Sequence, residues 1–179
     1  ASDAWARLTS DAPVSRIRAT VRAGRNRMRG TLSGWLPADL AGQRVLDAGC
    51  GTGALAVELA QRGAHVVAVD LSRTLVELAR ERLPADIGTG HVEFHAGDFL
   101  DERLGRFDWV VAMDSLIHYR PPDAAQALVR LAPRTRRGIA FTFAPRTPML
   151  AAMHAVGQLF PRGNRSPAVT TPSLMACRT

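Results

Sequence analysis

Along most of the chain, short apolar runs alternate with segments whose apolar residues recur at helical spacing. The first such segment covers residues 13–35, where Val14, Ile17, Val21, Met28, Leu32 and Trp35 fall near one face. A turn-rich stretch follows at 37–42. Beyond it, the run 44–47 predicts a buried strand, 54–62 a helix stopped by Gly63, and 65–69 a second strand ending at Asp70. Ser72 caps a helix over 72–83, which stops before Pro84. Strands are predicted at 91–95, 107–113 and 138–143, with a helix over 123–131 after Pro121-Pro122. Alternation of this kind implies a mostly parallel sheet covered on both faces. The expected fold is α/β, a three-layer sandwich with a doubly wound, Rossmann-like sheet. Residues 166–179 contain Pro167 and Pro172 and offer no convincing strand, so C-terminal strands are expected to be missing there. The pattern divides the chain into an N-terminal helical arm or lid, residues 1–36, and a ligand-binding domain, residues 37–179.

Right-handed crossovers place the carboxyl ends of parallel strands on one rim, and ligands bind beyond that rim where the strand order reverses. The residues at the predicted strand ends carry chemistry that suits this. The first strand runs into Asp47-Ala48-Gly49-Cys50-Gly51-Thr52-Gly53, and a helix opens directly after it. Glycines permit a sharp turn and a close approach of ligand to backbone. Asp47 can serve as a counter-charge to the cationic end of a nucleotide cofactor. Asp70 suits hydrogen bonds to ribose hydroxyls. The third strand leads into Gly97-Asp98-Phe99, where Asp98 can accept from an adenine amino group and Phe99 can pack on the ring. Gly49-x-Gly51-x-x-Ala54 also fits a relaxed dinucleotide fingerprint. Against that reading, Asp47 stands where a pyrophosphate would be repelled, and Asp98 adds a third acid to the rim.

Charge changes the picture only a little. The net charge is +7, and all 23 basic residues are arginine. Arg16, Arg18, Arg22, Arg25, Arg27 and Arg29 crowd the first helix with no acid among them. Attraction to anions follows, but no RNA- or DNA-binding signature accompanies it, so no nucleic acid partner is expected. No apolar run is long enough to span a bilayer, and residues 1–8 lack the apolar core of a signal peptide. Two cysteines cannot form a disulfide framework, and Cys50 reads as a small packing residue. The expected location is cytoplasmic. His91 and His95 share one face of a strand without making a metal site, so no bound metal is expected.

Asp47-x-Gly49-x-Gly51-x-Gly53, Asp70 and Gly97-Asp98 together resemble motifs I, II and III of class I S-adenosylmethionine-dependent methyltransferases. Further along stand Met113-Asp114-Ser115-Leu116-Ile117-His118-Tyr119, Phe141-Thr142-Phe143-Ala144-Pro145-Arg146-Thr147-Pro148 and His154-Ala155-Val156-Gly157-Gln158-Leu159-Phe160-Pro161. These stretches resemble the magnesium-protoporphyrin IX O-methyltransferase family of bacteriochlorophyll biosynthesis, over about Ala4 to Ala168. The resemblance implies methyl transfer from S-adenosylmethionine to a propionate of magnesium protoporphyrin IX. The products would be the monomethyl ester and S-adenosylhomocysteine, with magnesium present only as part of the porphyrin. It assigns cofactor contacts to Asp47, Gly49, Cys50, Gly51, Gly53, Asp70, Leu71, Asp98, Phe99 and Met113. His118 becomes the catalytic residue that grips the propionate, and Asp114, Ser115, Tyr119 and Arg146 become acceptor contacts, with Arg120 a further cation for the propionate. It also implies an active-site tyrosine on the N-terminal arm, whereas the single tyrosine of this chain is Tyr119. A magnesium chelatase subunit is an expected partner, as is peripheral contact with the inner or photosynthetic membrane. Two other readings remain open at this point: a methyltransferase for RNA or another small acid, and a non-catalytic cofactor-binding domain.

Overall fold

The computed structural model describes residues 16–143 and 173–178. Helix α1 (Arg16–Gly34) precedes strand β1 (Arg44–Ala48), helix α2 (Ala54–Gln61), strand β2 (His65–Asp70), helix α3 (Arg73–Glu81) and strand β3 (His91–Ala96). Strand β4 (Phe107–Ala112), helix α4 (Pro121–Leu131), strand β5 (Thr135–Phe143) and strand β6 (Ser173–Arg178) complete the order. The sheet runs β3-β2-β1-β4-β5-β6. Its first five strands are parallel and β6 is antiparallel to β5.

The expected three-layer sandwich is therefore present, and its two cores follow from strand alternation. Val45, Val66, Ala68, Val92, Phe94 and Val111 face one way, under Leu32, Leu55, Leu59 and Val76 of the first three helices. Leu46, Val67, Val69, Val110 and Ile139 face the other way, under Ala127 and Leu131 of α4. Strands buried on both faces must be apolar throughout, which is why they read as short unbroken runs. Among the described residues, no helix is long and apolar enough to cross a membrane.

One expectation is corrected. Residues 166–179 include a strand after all: β6 pairs with β5 from Phe143↔Ser173 to Gly138↔Arg178. Its apolar run is only Leu174 to Cys177, hemmed by Pro172 and Arg178, and carries no alternation that the sequence pattern could detect. Two boundaries also move. α4 starts at Pro121, since proline at the first helical positions lacks only an N–H that has no helical partner anyway. β5 starts at Thr135, where the Thr135 hydroxyl donates to the Leu131 carbonyl at 2.8 Å and offsets the polar start of that strand.

The N-terminal helix docks by its last turns. Leu32 is fully buried, whereas Val21 and Trp35 of the predicted apolar face stay exposed. Arg29 reaches Glu58 of α2 at 3.0 Å. The strongest tie is Arg62, just past α2. Its guanidinium donates to the carbonyls of Ser33 and Leu36 at 2.8 Å each, to Ala38 at 3.3 Å, and to Pro37. These carbonyls lie at and beyond the end of α1, where helical partners run out. Arg62→Ala is expected to lower stability by about 2–3 kcal/mol, since bonds to a charged donor contribute more than neutral ones. Arg62→Lys should recover less than half of that, because a point ammonium cannot span four carbonyls. Urea unfolding midpoints measure both; an unchanged midpoint for Arg62→Ala would show that α1 is held by apolar contact alone.

Candidate active site

The strand order reverses between β1 and β4, and a cavity of about 310 Å³ opens there at the carboxyl rim. Asp47, Gly49, Cys50, Thr52, Ala54, Leu55 and Met113 line it from the domain, and Arg22, Arg25, Asn26 and Arg29 line it from α1.

Asp47 is the floor. Its residue is 1% exposed, and its Oδ2 has no hydrogen-bond partner among the described residues. Burial, then repulsion from Asp70, pushes its pKa up to about 7, while the Ala56 backbone N–H pulls the other way. A buried carboxylate with an open oxygen in a cavity wall is a receptor for a cation or a hydrogen-bond donor.

The loop after β1 turns tightly. Gly49 (φ 86°) and Gly53 (φ 80°) occupy the left-handed region. A Cβ on Gly49 would lie 2.3 Å from the Ser115 Cβ, so the loop after β4 presses directly on the glycine turn. Asp70 ties the same turn to β2. One of its oxygens accepts from Gly51 N–H at 2.9 Å and the other from Ser72 N–H at 2.8 Å. Each oxygen keeps a lone pair for a ligand. Leu71 beside it is 73% exposed at the rim, an apolar side chain of the kind that can cover a flat ring. Asp98 is exposed and caps the next turn by accepting Leu100 N–H at 2.8 Å. Phe99 is buried, its ring 6.2 Å from that of Tyr119. The Cys50 thiol is pushed well up by burial and by the charges of Asp47 and Asp70, so it stays protonated and serves as packing.

The loop after β4 is held in an unusual shape. Asp114 sits at φ 58°, uncommon outside glycine, and its N–H donates to the fully buried Thr142 hydroxyl at 2.8 Å. Its carboxylate lies 3.6 Å from Arg25 of α1. Burial raises the Asp114 pKa, and Arg25 and His118 oppose that rise. Ser115 directs a buried hydroxyl at the glycine turn, with no partner among the described residues. His118 ends a short 3₁₀ turn (Leu116–His118) and is exposed beside this group. Tyr119 follows, half-buried. Its hydroxyl pKa is raised by burial and by Asp98.

Of the predicted site residues, Asp47, Gly49, Cys50 and Met113 line the cavity; Asp70, Ser115 and Asp114 touch its lining or loop through Gly51, Gly49 and Arg25, whereas Gly53, Leu71, Asp98, Phe99, His118 and Tyr119 are not among its lining residues. Arg120 instead pairs with Asp123 at 2.8 Å on an exposed face. Arg146, His154 and the stretches around them lie outside the described residues, as do residues 13–15 of the predicted first helix. Sequence reasoning expected a lid at residues 1–36 but did not single out Arg22, Arg25 and Arg29 of α1 as cavity-lining residues. Arginine every three or four residues reads as a solvated face, and only the tertiary contact of Arg25 with Asp114 reveals otherwise.

Comparison with known proteins agrees with this geometry. Residues 45–138 match a family described as "Methyltransferase domain", and residues 112–176 match "Magnesium-protoporphyrin IX methyltransferase C-terminus". The chain is 54% identical over 175 residues to magnesium-protoporphyrin O-methyltransferase of Rhodobacter capsulatus, covering 97% of this chain and 78% of that one. It superimposes on a crystal structure of magnesium protoporphyrin IX methyltransferase from Synechocystis PCC 6803 with bound SAH, with a TM-score of 0.78 and 33% identity, over 90% of this chain and 74% of that one. A second structure of the same Synechocystis protein, with bound SAM, gives a TM-score of 0.76 at 28% identity, over 99% of this chain and 90% of that one. At 54% identity over 97% of its length, this chain belongs to the magnesium-protoporphyrin O-methyltransferase family.

Proposed function

We propose that this chain is an S-adenosylmethionine-dependent O-methyltransferase that esterifies one propionate of magnesium protoporphyrin IX. The observation that carries the cofactor half is the buried Asp47 carboxylate with an open oxygen in the cavity wall. The residues fit the cofactor. Asp47 meets its ammonium, and the arginines of α1 across the cavity bring positive charge for its carboxylate. Asp70 accepts from the ribose hydroxyls, and Asp98 from the adenine amino group. Leu71 and Phe99 frame the ring, and Gly49, Gly51 and Gly53 let it approach the main chain, with Cys50 and Met113 filling the wall. When bound, S-adenosylmethionine supplies an electrophilic methyl group on a sulfonium.

The acceptor needs no strong base. A propionate has a pKa of about 4–5 by analogy with glutamate and is ionised at neutral pH. The work of the chain is then to align a carboxylate oxygen with the methyl group and exclude water, a proximity effect worth several kcal/mol. His118, exposed on the loop after β4, grips the propionate by a hydrogen bond. Tyr119 and Arg146 border the macrocycle, while Asp114 and Ser115 fix the loop that carries His118. Residues 1–36 act as an arm that closes over the 37–179 domain, and the Arg25–Asp114 pair is its contact with the acceptor loop. The flat, apolar, dianionic substrate suits a basic arm at a membrane periphery in the cytoplasm, with delivery from a magnesium chelatase subunit.

Three outcomes follow. Incubation with S-adenosylmethionine and magnesium protoporphyrin IX should add one methylene to the porphyrin mass. Cofactor binding without that product would leave the fold standing and refute the acceptor. His118→Ala should cut kcat about 100-fold or more, the usual scale for a group that positions a reacting atom, while cofactor affinity measured by calorimetry stays put. The third concerns pH. In the free protein Asp47 holds its proton up to about pH 7, whereas unfolded aspartate releases it near 3.9. The native state therefore binds more protons between those values, and the contribution of Asp47 to stability falls as pH rises through that window. A cationic ligand needs the ionised form, so affinity for S-adenosylmethionine should rise about tenfold between pH 6 and 8, with proton release on binding at the lower pH. Asp47→Asn should bind more weakly and flatten that dependence. A pH-independent affinity in the unsubstituted chain would remove Asp47 from the cofactor site.

A further inference from the structure

The opposite end of the sheet carries a second constellation that methyl transfer does not use. β3 is the edge strand, and alternation places His91, Glu93 and His95 on one of its faces. The register sets His65, the first residue of β2, directly beside His91. Spacing along one strand links His91, Glu93 and His95. The sheet adds His65 and so changes the expectation that no metal is held here.

The distances are short. His65 Nε2 lies 2.9 Å from Glu93 Oε1, and His95 Nε2 lies 3.5 Å from Glu93 Oε2. The His65 and His91 rings are 5.4 Å apart between centroids, tilted by 58°. One ligand atom each from His65, His91 and Glu93 can be chosen so that all three lie within 4.8 Å of one another. Donors of a tetrahedral zinc ion at about 2.0–2.2 Å stand about 3.4 Å apart, so the three need to close by about 1 Å. All three are partly exposed and can turn by rotation about their own side-chain bonds. A hydrogen-bonded histidine–glutamate pair alone would account for His65 and Glu93. It leaves His91 beside a second imidazole with no carboxylate partner of its own among the described residues. A cation between the rings gives both imidazoles and the carboxylate a common partner.

We propose that His65, His91 and Glu93 form a binding site for a divalent transition-metal ion, zinc above all, with water completing the coordination. Two imidazoles and a carboxylate favour zinc, copper, nickel or cobalt over magnesium, which takes oxygen donors. His95 bonds the far oxygen of Glu93 and orients it, as partners of ligating carboxylates do. The site lies at the amino end of β2, five residues from Asp70 and so about 16 Å from the cofactor rim. Its ion cannot touch the reacting groups. It acts instead as a clamp joining β3 to β2, its one strand neighbour among the described residues.

The test uses the untagged full chain. Calorimetric titration with zinc should show one ion bound, a raised Tm, and loss of binding on acidification, since imidazole ligates only when deprotonated. Cobalt(II) should give the intense visible bands of a low-coordinate site, and magnesium should not compete. Glu93→Gln and His91→Ala should each weaken zinc binding at least tenfold, and His95→Gln about tenfold, while methyl transfer from S-adenosylmethionine is unchanged in all three. The first two variants replace partly exposed side chains, and circular dichroism verifies that they fold. Absence of one-to-one binding at micromolar zinc overturns the proposal. So does zinc binding that persists undiminished in the Glu93→Gln, His91→Ala double variant.

Discussion

A carboxylate forced out of water at the reversal of strand order is the constraint on which the site depends. Asp47 stands in the middle of the sheet, between β2 and β4, in a strand buried on both faces. An unpaired ion in such a place costs several kcal/mol, and the free protein avoids that cost by holding the proton up to about pH 7. An apolar residue would fill the position more stably. The carboxylate makes physical sense as a group whose partner arrives with the ligand. Its second oxygen is open in the cavity wall, and Asp70 accepts from Gly51 N–H and so holds the glycine turn beside it.

The basic helix follows from the same constraint. α1 brings arginines and no acid of its own, and the domain supplies the acids: Glu58 on α2, Asp114 after β4, and Asp47 across the cavity. Burial lowers the Arg25 pKa while Asp114 raises it, and the helix docks with Arg25 against Asp114 and Arg29 against Glu58. Only the last turns add apolar burial, through Leu32. The helix is thus held by Arg62 at its carboxyl end and by ion pairs along its length. Such pairs yield to competing ligands and salt far more readily than a packed core does. This suits the lid role proposed for residues 1–36.

The fold was legible because its signals are local and redundant. Runs such as Val45-Leu46 and Val66 to Val69, Ser72 as a cap and Gly63 as a stop each point to the same layered sheet. The three acids at successive strand ends could be read for the same reason: strand ends on one rim bring distant sequence positions together by rule. What escaped depends on tertiary contact. β6 is strand-like only because β5 offers an open edge, and Thr135 begins β5 only because Leu131 accepts from its hydroxyl. The strained Asp114 requires Thr142, which lies 28 residues further on. The histidine cluster needed the β2–β3 register. No spacing rule could announce His65 as the neighbour of His91.

The exclusive use of arginine looks at first like a statement about anionic partners, but much of that charge is spent inside the fold. Arg62 spans the carbonyls beyond α1. Arg134 reaches the carbonyls of Leu100, Asp101 and Gly105 at 2.9–3.2 Å and lies over the Phe107 ring at 5.9 Å. Arg44 also lies over that ring, at 4.8 Å, and bonds the carbonyls of Leu104 and Arg106. A planar fork with five donors can satisfy several carbonyls of an irregular turn at once, which an ammonium cannot do with the same geometry. These clasps sit at the amino ends of β1 and β4 and on the loop that precedes β4. They stiffen the base of the strands whose carboxyl ends carry Asp47 and the loop to His118. The cations that face the cavity, on α1, are the ones whose placement ties charge to ligand binding.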